Sequence, residues 1–319
     1  MNILITGGSG FIGSYLSNYL DKLGHNIFVT TRTTNLELQD KIKNATFGIW
    51  NVLSESPTFF NATNQIDIII HTATSNDILS KQTLKGIELS TIGTKNVLEY
   101  AFKNNIKKVV FFSTFQVYGI DLEGEITENT PTNPLNDYGL NHYFGEQYMK
   151  MYANKYKLQC FIIRPSNVFG PFFLKTINRW TLVPGCFCKE AFETRTLNIL
   201  SSGLQSRNFV HLENLSQIVI AAILHSKETF SIINAASTIN LTMLEVANMV
   251  KVEYETIFAR KLLLQILGKI PRKSNIFAVS LDLLNSKYKY IEKQESMKNV
   301  INDIFYNFKN NIDDPNTAI

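Results

Sequence analysis

Residues 1–13, MNILITGGSGFIG, constrain the fold more than any other stretch of the chain. An apolar run, Ile3-Leu4-Ile5, passes directly into a turn in which Gly7, Gly10 and Gly13 stand three apart, and an apolar stretch with helical spacing follows. A strand, a glycine turn and a helix in that order suit a pyrophosphate. Glycine admits positive φ and lets the backbone approach phosphates closely, and a helix N-terminus presents N–H groups and a partial positive charge. Three glycines alone say little; the flanking strand and helix make the pattern informative.

The same alternation runs through the first half of the chain. Apolar runs at 3–5, 27–30, 66–71, 109–113 and 160–164 are separated by helical patterns at 12–23, 85–104 and 138–157. This predicts an α/β fold with a doubly wound parallel sheet, its ligand beyond the carboxyl ends of the strands. Residues 7–13, 31–32, 71–74 and 113–118 then surround one crevice. After Pro165 turn residues and aromatics take over, and beyond Asn240 no β-α repeat is visible. We expect a dinucleotide-binding domain from 1–170 plus about 206–236, and a smaller α/β substrate-binding lobe from about 171–205 plus 237–319.

Composition bounds the function. With 45% hydrophobic and 18% charged residues among 319, the chain is globular and not disordered. Its net charge of +4 comes without a basic stripe interleaved with aromatics, which argues against nucleic acid and suits an anionic small ligand. Cys160, Cys186 and Cys188 are odd in number and lack metal-site spacing, so we expect no metal, no disulfide framework and a reducing, cytoplasmic setting. No signal peptide or membrane span is expected, since the first apolar run ends at the glycines and nothing approaches about 18 apolar residues. Asn61-Ala62-Thr63 and Asn240-Leu241-Thr242 match a glycosylation pattern that carries no meaning in that setting.

Candidate chemistry centres on Tyr138, which opens a helical segment with His142 on the same face. A phenol serves as acid or base near neutrality when a nearby cation brings its pKa down from about 10. Ser113 and Thr114 end the preceding strand, where a hydroxyl can hold a substrate oxygen.

Together these residues resemble the extended short-chain dehydrogenase/reductase family, specifically its NAD(P)-dependent nucleotide-sugar epimerases, dehydratases and reductases. The resemblance runs in order along most of the chain: TGGSGFIG at 6–13, DIIIHTA at 67–73, GTKNVLE at 93–99, Ser113-Thr114 before Val117-Tyr118-Gly119, Tyr138-Gly139-Leu140 with Gly145-Glu146, RPSNVFGP at 164–171 and RNFVH at 207–211. It implies a Rossmann-type sheet with cofactor contacts at Gly7, Gly10, Phe11, Ile12, Gly13, Thr31, Arg32, Thr72, Ala73, Tyr138 and His142. It implies that Thr114 holds the oxygen at the sugar's C4 and Tyr138 moves the proton, with Thr114, Tyr138 and His142 as the catalytic set. Asn167 and Arg207, with Thr114, would bind a nucleotide-diphosphate sugar. A homodimer through the segments 85–104 and 138–157 follows by the same analogy.

Four positions depart from the family. Its catalytic lysine, four after the tyrosine, is His142 here. A cation about 4 Å away is worth several kcal/mol at an effective dielectric of about 20, and about 1.4 kcal/mol is tenfold in rate. Either His142 is held protonated, another group substitutes, or activity is low. The acidic pair that family dehydratases carry after the threonine is Phe115-Gln116, which argues against 4,6-dehydration. The carboxylate that NAD users place after the second strand is Thr31-Arg32, which modestly favours NADP(H) over NAD(H). An Asp that often meets the adenine is Ile49, beside a Trp50 that reads as core. The expected function is hydride transfer at C4 of a nucleotide sugar, as 4-keto reduction, dehydrogenation or epimerisation; the alternative is a non-catalytic dinucleotide or nucleotide-sugar binding relative, a sensor or partner subunit.

Overall fold

Seven parallel strands form the centre of the computed structural model, which describes residues 1–54, 56–57, 66–120, 122–269, 276–294 and 296–312. The Asn61-Ala62-Thr63 pattern and the last seven residues of the expected lobe lie outside the described residues. The strands are β1 (Asn2–Thr6), β2 (Asn26–Thr31), β3 (Thr46–Ile49), β4 (Ile68–His71), β5 (Lys108–Phe112), β6 (Gln159–Pro165) and β7 (Phe230–Ala235). Their order is β7-β6-β5-β4-β1-β2-β3, with every neighbouring pair parallel. The order reverses between β1 and β4, and a doubly wound sheet binds ligand outside the strand ends at such a switch point. There Thr6 pairs with Thr30 on one side and His71 on the other.

The inner strands are buried on both faces, so they read as continuous apolar runs, while the edge strand β3 is only partly covered. The period of two splits the core. Ile3, Ile5, Ile68, Ile70, Val110 and Ile163 face α1 (Phe11–Lys22) and α5 (Leu212–His225). Leu4, Ile69, Val109, Phe111 and Ile162 face α2 (Gly93–Lys103) and α3 (Asp137–Tyr156). The α3 start is fixed by Asn136, whose side chain accepts from the Gly139 N–H at 2.8 Å. A third core joins Phe169, Leu197 and Phe209 to α4 (Gly185–Thr194), α6 (Met243–Phe258) and α7 (Met297–Ile312). A small sheet of Asn167–Phe169, Ser206–His211 and Asn240–Thr242 runs beside it.

The segment 85–104 is helical as expected, with one irregularity inside it. It comprises a short helix, Thr83–Ile87, a wide π turn, Glu88–Ile92, and then α2. Polar contacts hold the wide turn: Ser90 Oγ accepts from the Ser75 N–H at 2.9 Å, and Thr94 Oγ1 donates to the Ser90 carbonyl at 2.6 Å. Trp50 is core, tilted on Tyr100 at 5.0 Å between ring centres. Among the described residues, no three His, Cys, Asp or Glu side chains group as metal ligands, and no helix is long and apolar enough to cross a membrane.

Candidate active site

The glycine turn closes tightly on the end of β4. Gly7 holds φ at +72°, and a Cβ there would lie 2.8 Å from the Ala73 nitrogen. A Cβ on Gly13 would lie 2.4 Å from the Gly7 carbonyl oxygen. Only hydrogen fits at either place. Gly10 caps α1 without a side chain, so the first-turn N–H groups of α1 keep their donors for a ligand. Thr72 closes the far wall, its hydroxyl donating to the Thr6 carbonyl at 2.6 Å.

A cavity of about 450 Å³ opens from this turn across the carboxyl ends of the sheet. The turn supplies Gly10, Phe11, Ile12 and Gly13, β5 and its extension supply Ser113 and Thr114, and α3 supplies Tyr138 and His142. Asn167 and Arg207 close the opposite side. Residues 197 positions apart in sequence, Gly10 and Arg207, thus share one space. Asn167 Nδ2 donates to the Asn208 carbonyl at 2.8 Å, which fixes it beside the exposed Arg207.

The two candidate hydroxyls at the end of β5 are not equivalent. Ser113 donates to Glu146 Oε1 at 2.6 Å, inside a buried network in which Arg164 also donates to Glu146 and to the Tyr118 hydroxyl. Thr114 Oγ1 accepts from the Gln116 N–H at 3.3 Å, which leaves its own O–H to donate. Phe115 is buried against Tyr118 and Phe277 and does not line the cavity, while Gln116 does and accepts from Asn136.

Tyr138 sits at the cavity wall with its ring 4.4 Å from that of His142. Burial raises its pKa; a hydrogen bond with the Thr114 side chain and the Arg179 charge pull it back, and Asp77 pushes it up. His142 is 1% exposed, and burial lowers its pKa to about 4. Its Nδ1 lies 2.8 Å from the Tyr138 carbonyl, which only accepts, so Nδ1 carries the proton. Nε2 is then an acceptor and takes the Thr74 hydroxyl at 3.2 Å. At neutral pH the position four residues after Tyr138 therefore carries no charge.

Thr31 and Arg32 stand away from this chemistry, at the end of β2. Thr31 donates to the Thr33 carbonyl at 2.7 Å and pairs in register with Ile49. Both line a second recess of about 160 Å³ with Asn35 and Leu38, and Arg32 is exposed beside it. Thr74, within the expected 71–74 stretch, lines the main cavity, and so do two residues that spacing does not single out, Asp77 and Arg179. They come from irregular segments, where no periodicity flags a side chain.

A Rossmann-type sheet with a glycine cradle and a hydroxyl-lined cavity at its switch point defines a dinucleotide-binding α/β class. Within it the chain belongs to the NAD dependent epimerase/dehydratase family, whose model matches residues 3–236. A Methanocaldococcus jannaschii protein provisionally assigned as a UDP-glucose 4-epimerase is 26% identical over 94% of this chain and 97% of its own. The human dTDP-D-glucose 4,6-dehydratase is 27% identical over 77% of this chain and 70% of its own. The solved UDP-glucuronic acid 4-epimerase of Bacillus cereus, in complex with UDP-glucuronic acid and NAD, superposes with a TM-score of 0.80 at 20% identity, covering 97% and 99% of the two chains.

Proposed function

We propose that the chain is a nicotinamide-dinucleotide-dependent oxidoreductase acting at C4 of a nucleotide-diphosphate sugar. The observation that carries this is the convergence, in one cavity, of the glycine turn and α1 N-terminus with the Thr114 and Tyr138 hydroxyls and the Arg207 guanidinium. The glycine turn fits a pyrophosphate, because a Cβ at Gly7 or Gly13 would fill the cradle. Asn167 and Arg207 are suited to the sugar's diphosphate, where an Arg fork can pair two oxygens.

In the oxidising direction Thr114 donates to the C4 oxygen and Tyr138 removes its proton. In reduction Tyr138 returns a proton to the C4 ketone while Thr114 steadies it. The nicotinamide, when bound, supplies the hydride acceptor or donor. Neutral His142, its own ring held by the Nδ1–H bond to the Tyr138 carbonyl, packs 4.4 Å from the Tyr138 ring and does not charge the site. Phe115, turned into the core, and Gln116 offer no ionisable pair for elimination, which supports epimerisation, reduction or dehydrogenation over 4,6-dehydration. The Bacillus cereus neighbour holds NAD, and the comparisons lend NADP(H) no support; Thr31 and Arg32 are the residues that bear on it.

The residues 1–170 with about 206–236 form the dinucleotide unit in this reading, and the third core, built on α4, α6 and α7, belongs to the substrate lobe. A non-catalytic binding protein is the second reading, favoured by the neutral His142. Mass spectrometry of small molecules released by denaturing the purified protein tests both. Release of NAD(H) or NADP(H), with turnover of uridine or thymidine diphosphate hexoses, supports the enzyme. Dinucleotide binding without turnover on any of them supports the second reading. No binding of either dinucleotide in titration overturns the enzyme and leaves the non-catalytic reading.

A further inference from the structure

We propose that Arg179, clamped by Asp77, is the cation that acts on the Tyr138 phenol in place of the ammonium missing four residues downstream. This rests on the reading of Tyr138 as proton carrier. The charged and titratable side chains on the cavity wall are Asp77, Tyr138, His142, Arg179 and Arg207. His142 is buried, with both ring nitrogens engaged by Tyr138 and Thr74. Two permanent cations remain. Arg207 sits on the Ser206–His211 strand beside Asn167, where a diphosphate is expected. Arg179 is tied by Nη1 to Asp77 Oδ1 at 2.6 Å, and only 18% of its side chain is exposed.

That placement joins two irregular segments, one just past β4 and one between Gly170 and α4, across the mouth of the site. Burial raises the Tyr138 pKa and the Thr114 hydrogen bond lowers it; of the two charges that share the cavity with it, Arg179 favours the phenolate and Asp77 opposes it, the arginine having the larger effect. A guanidinium stays charged at any working pH, and its remaining donors are available after one bonds Asp77. Arg179 is therefore a positioning residue, acting on proton transfer through Tyr138 from the wall of the same cavity.

The test reads the Tyr138 phenolate directly. The chain has 13 tyrosines, so the ultraviolet titration of each protein is taken as the difference from its Tyr138→Phe counterpart. Arg179→Gln should raise the Tyr138 midpoint by about one pH unit or more, and Arg179→Lys should leave it nearly unmoved. A midpoint unmoved in Arg179→Gln, or moved equally by Arg179→Lys, overturns the proposal. Arg179→Met, which keeps the stem, replaces the Gln variant if that one does not fold. Kinetics supply the second arm: the pH profile of kcat in Arg179→Gln should shift upward by the same amount, with KM within threefold. A large rise in KM with an unmoved profile would assign Arg179 to substrate binding instead. The titration needs no substrate, so it stands apart from the functional reading, which fails when Tyr138→Phe keeps its turnover.

Discussion

His71 and His142 flank Phe111 at the carboxyl end of the sheet, both buried and both neutral. His71 bonds Thr6 and Thr94, and burial with the nearby His142 lowers its pKa to about 3; that of His142 falls to about 4. In the unfolded chain both titrate near about 6.5. Because the folded values are depressed, the unfolded chain binds more protons as pH falls below 6.5. Stability is intact above that pH and declines toward pH 3–4. Thermal melts should therefore show a fall in Tm between pH 6.5 and 5, above the carboxylate range, and His142→Gln should flatten it; a flat wild-type profile there would contradict the buried imidazoles. Arg32 poses a different question at the same scale. Arg32→Ala removes the charge that would face a 2′-phosphate, so NADP(H) affinity should drop about tenfold while NAD(H) affinity holds, as measured by fluorescence titration. Equal losses for both would place the guanidinium on the adenine.

At the scale of elements, the turn and the α3 anchor carry the site. Gly13→Ala would put a methyl 2.4 Å from the Gly7 carbonyl and 2.8 Å from Thr72 Oγ1. The turn must open, and dinucleotide affinity should fall more than about tenfold in calorimetric titration; unchanged affinity would remove the turn from the binding site. Glu146 fastens α3 to β5 and β6 through Ser113 and Arg164, all three nearly fully buried. Glu146→Gln leaves the Arg164 charge uncompensated, and urea unfolding should show a loss of about 3 kcal/mol, partly recovered by adding Arg164→Met. The strands around this anchor were legible in the sequence to within two residues, because burial on both faces forces continuous apolar runs. That the glycine turn shares a cavity with Thr114 and Tyr138 was legible too, the turn from its flanking strand and helix and the two hydroxyls from their family resemblance. The wide turn at Glu88–Ile92 was not. Ser75 bonds Ser90 within it and Thr94 bonds the Ser90 carbonyl, and an apolar pattern carries no mark of such hydroxyl contacts. Arg179 and Asp77 escaped for the same reason: they meet 102 positions apart, from segments without a period.

An apolar stripe on α3 and α2 is left uncovered by the rest of the described chain. On α3, Leu140, Phe144 and Met151 are 38%, 41% and 44% exposed, and the half-buried Tyr148 fills the gap between them at helical spacing. Phe102 on the adjoining α2 is 50% exposed and packs on Tyr156 at 4.5 Å between ring centres, which extends the stripe onto the second helix. Buried faces of the same two helices, including Val97, Leu98, Met149 and Ala153, pack on the sheet, so the outward stripe is surplus to the internal core. Exposed contiguous aromatics on two neighbouring helices fit an isologous contact, in which each helix pair meets its own copy and four helices bury the stripe. We expect a homodimer, with light scattering at micromolar concentration giving twice the chain mass. Phe144→Glu would set two charges against each other at the symmetry axis or bury one against apolar rings, and should give a monomer that still melts cooperatively. The site lies on the inner side of α3, where Tyr138 and His142 face the cavity, so this monomer should keep dinucleotide binding within about threefold. A monomeric wild type would leave the stripe without that role, and a dimeric Phe144→Glu protein would move the interface elsewhere.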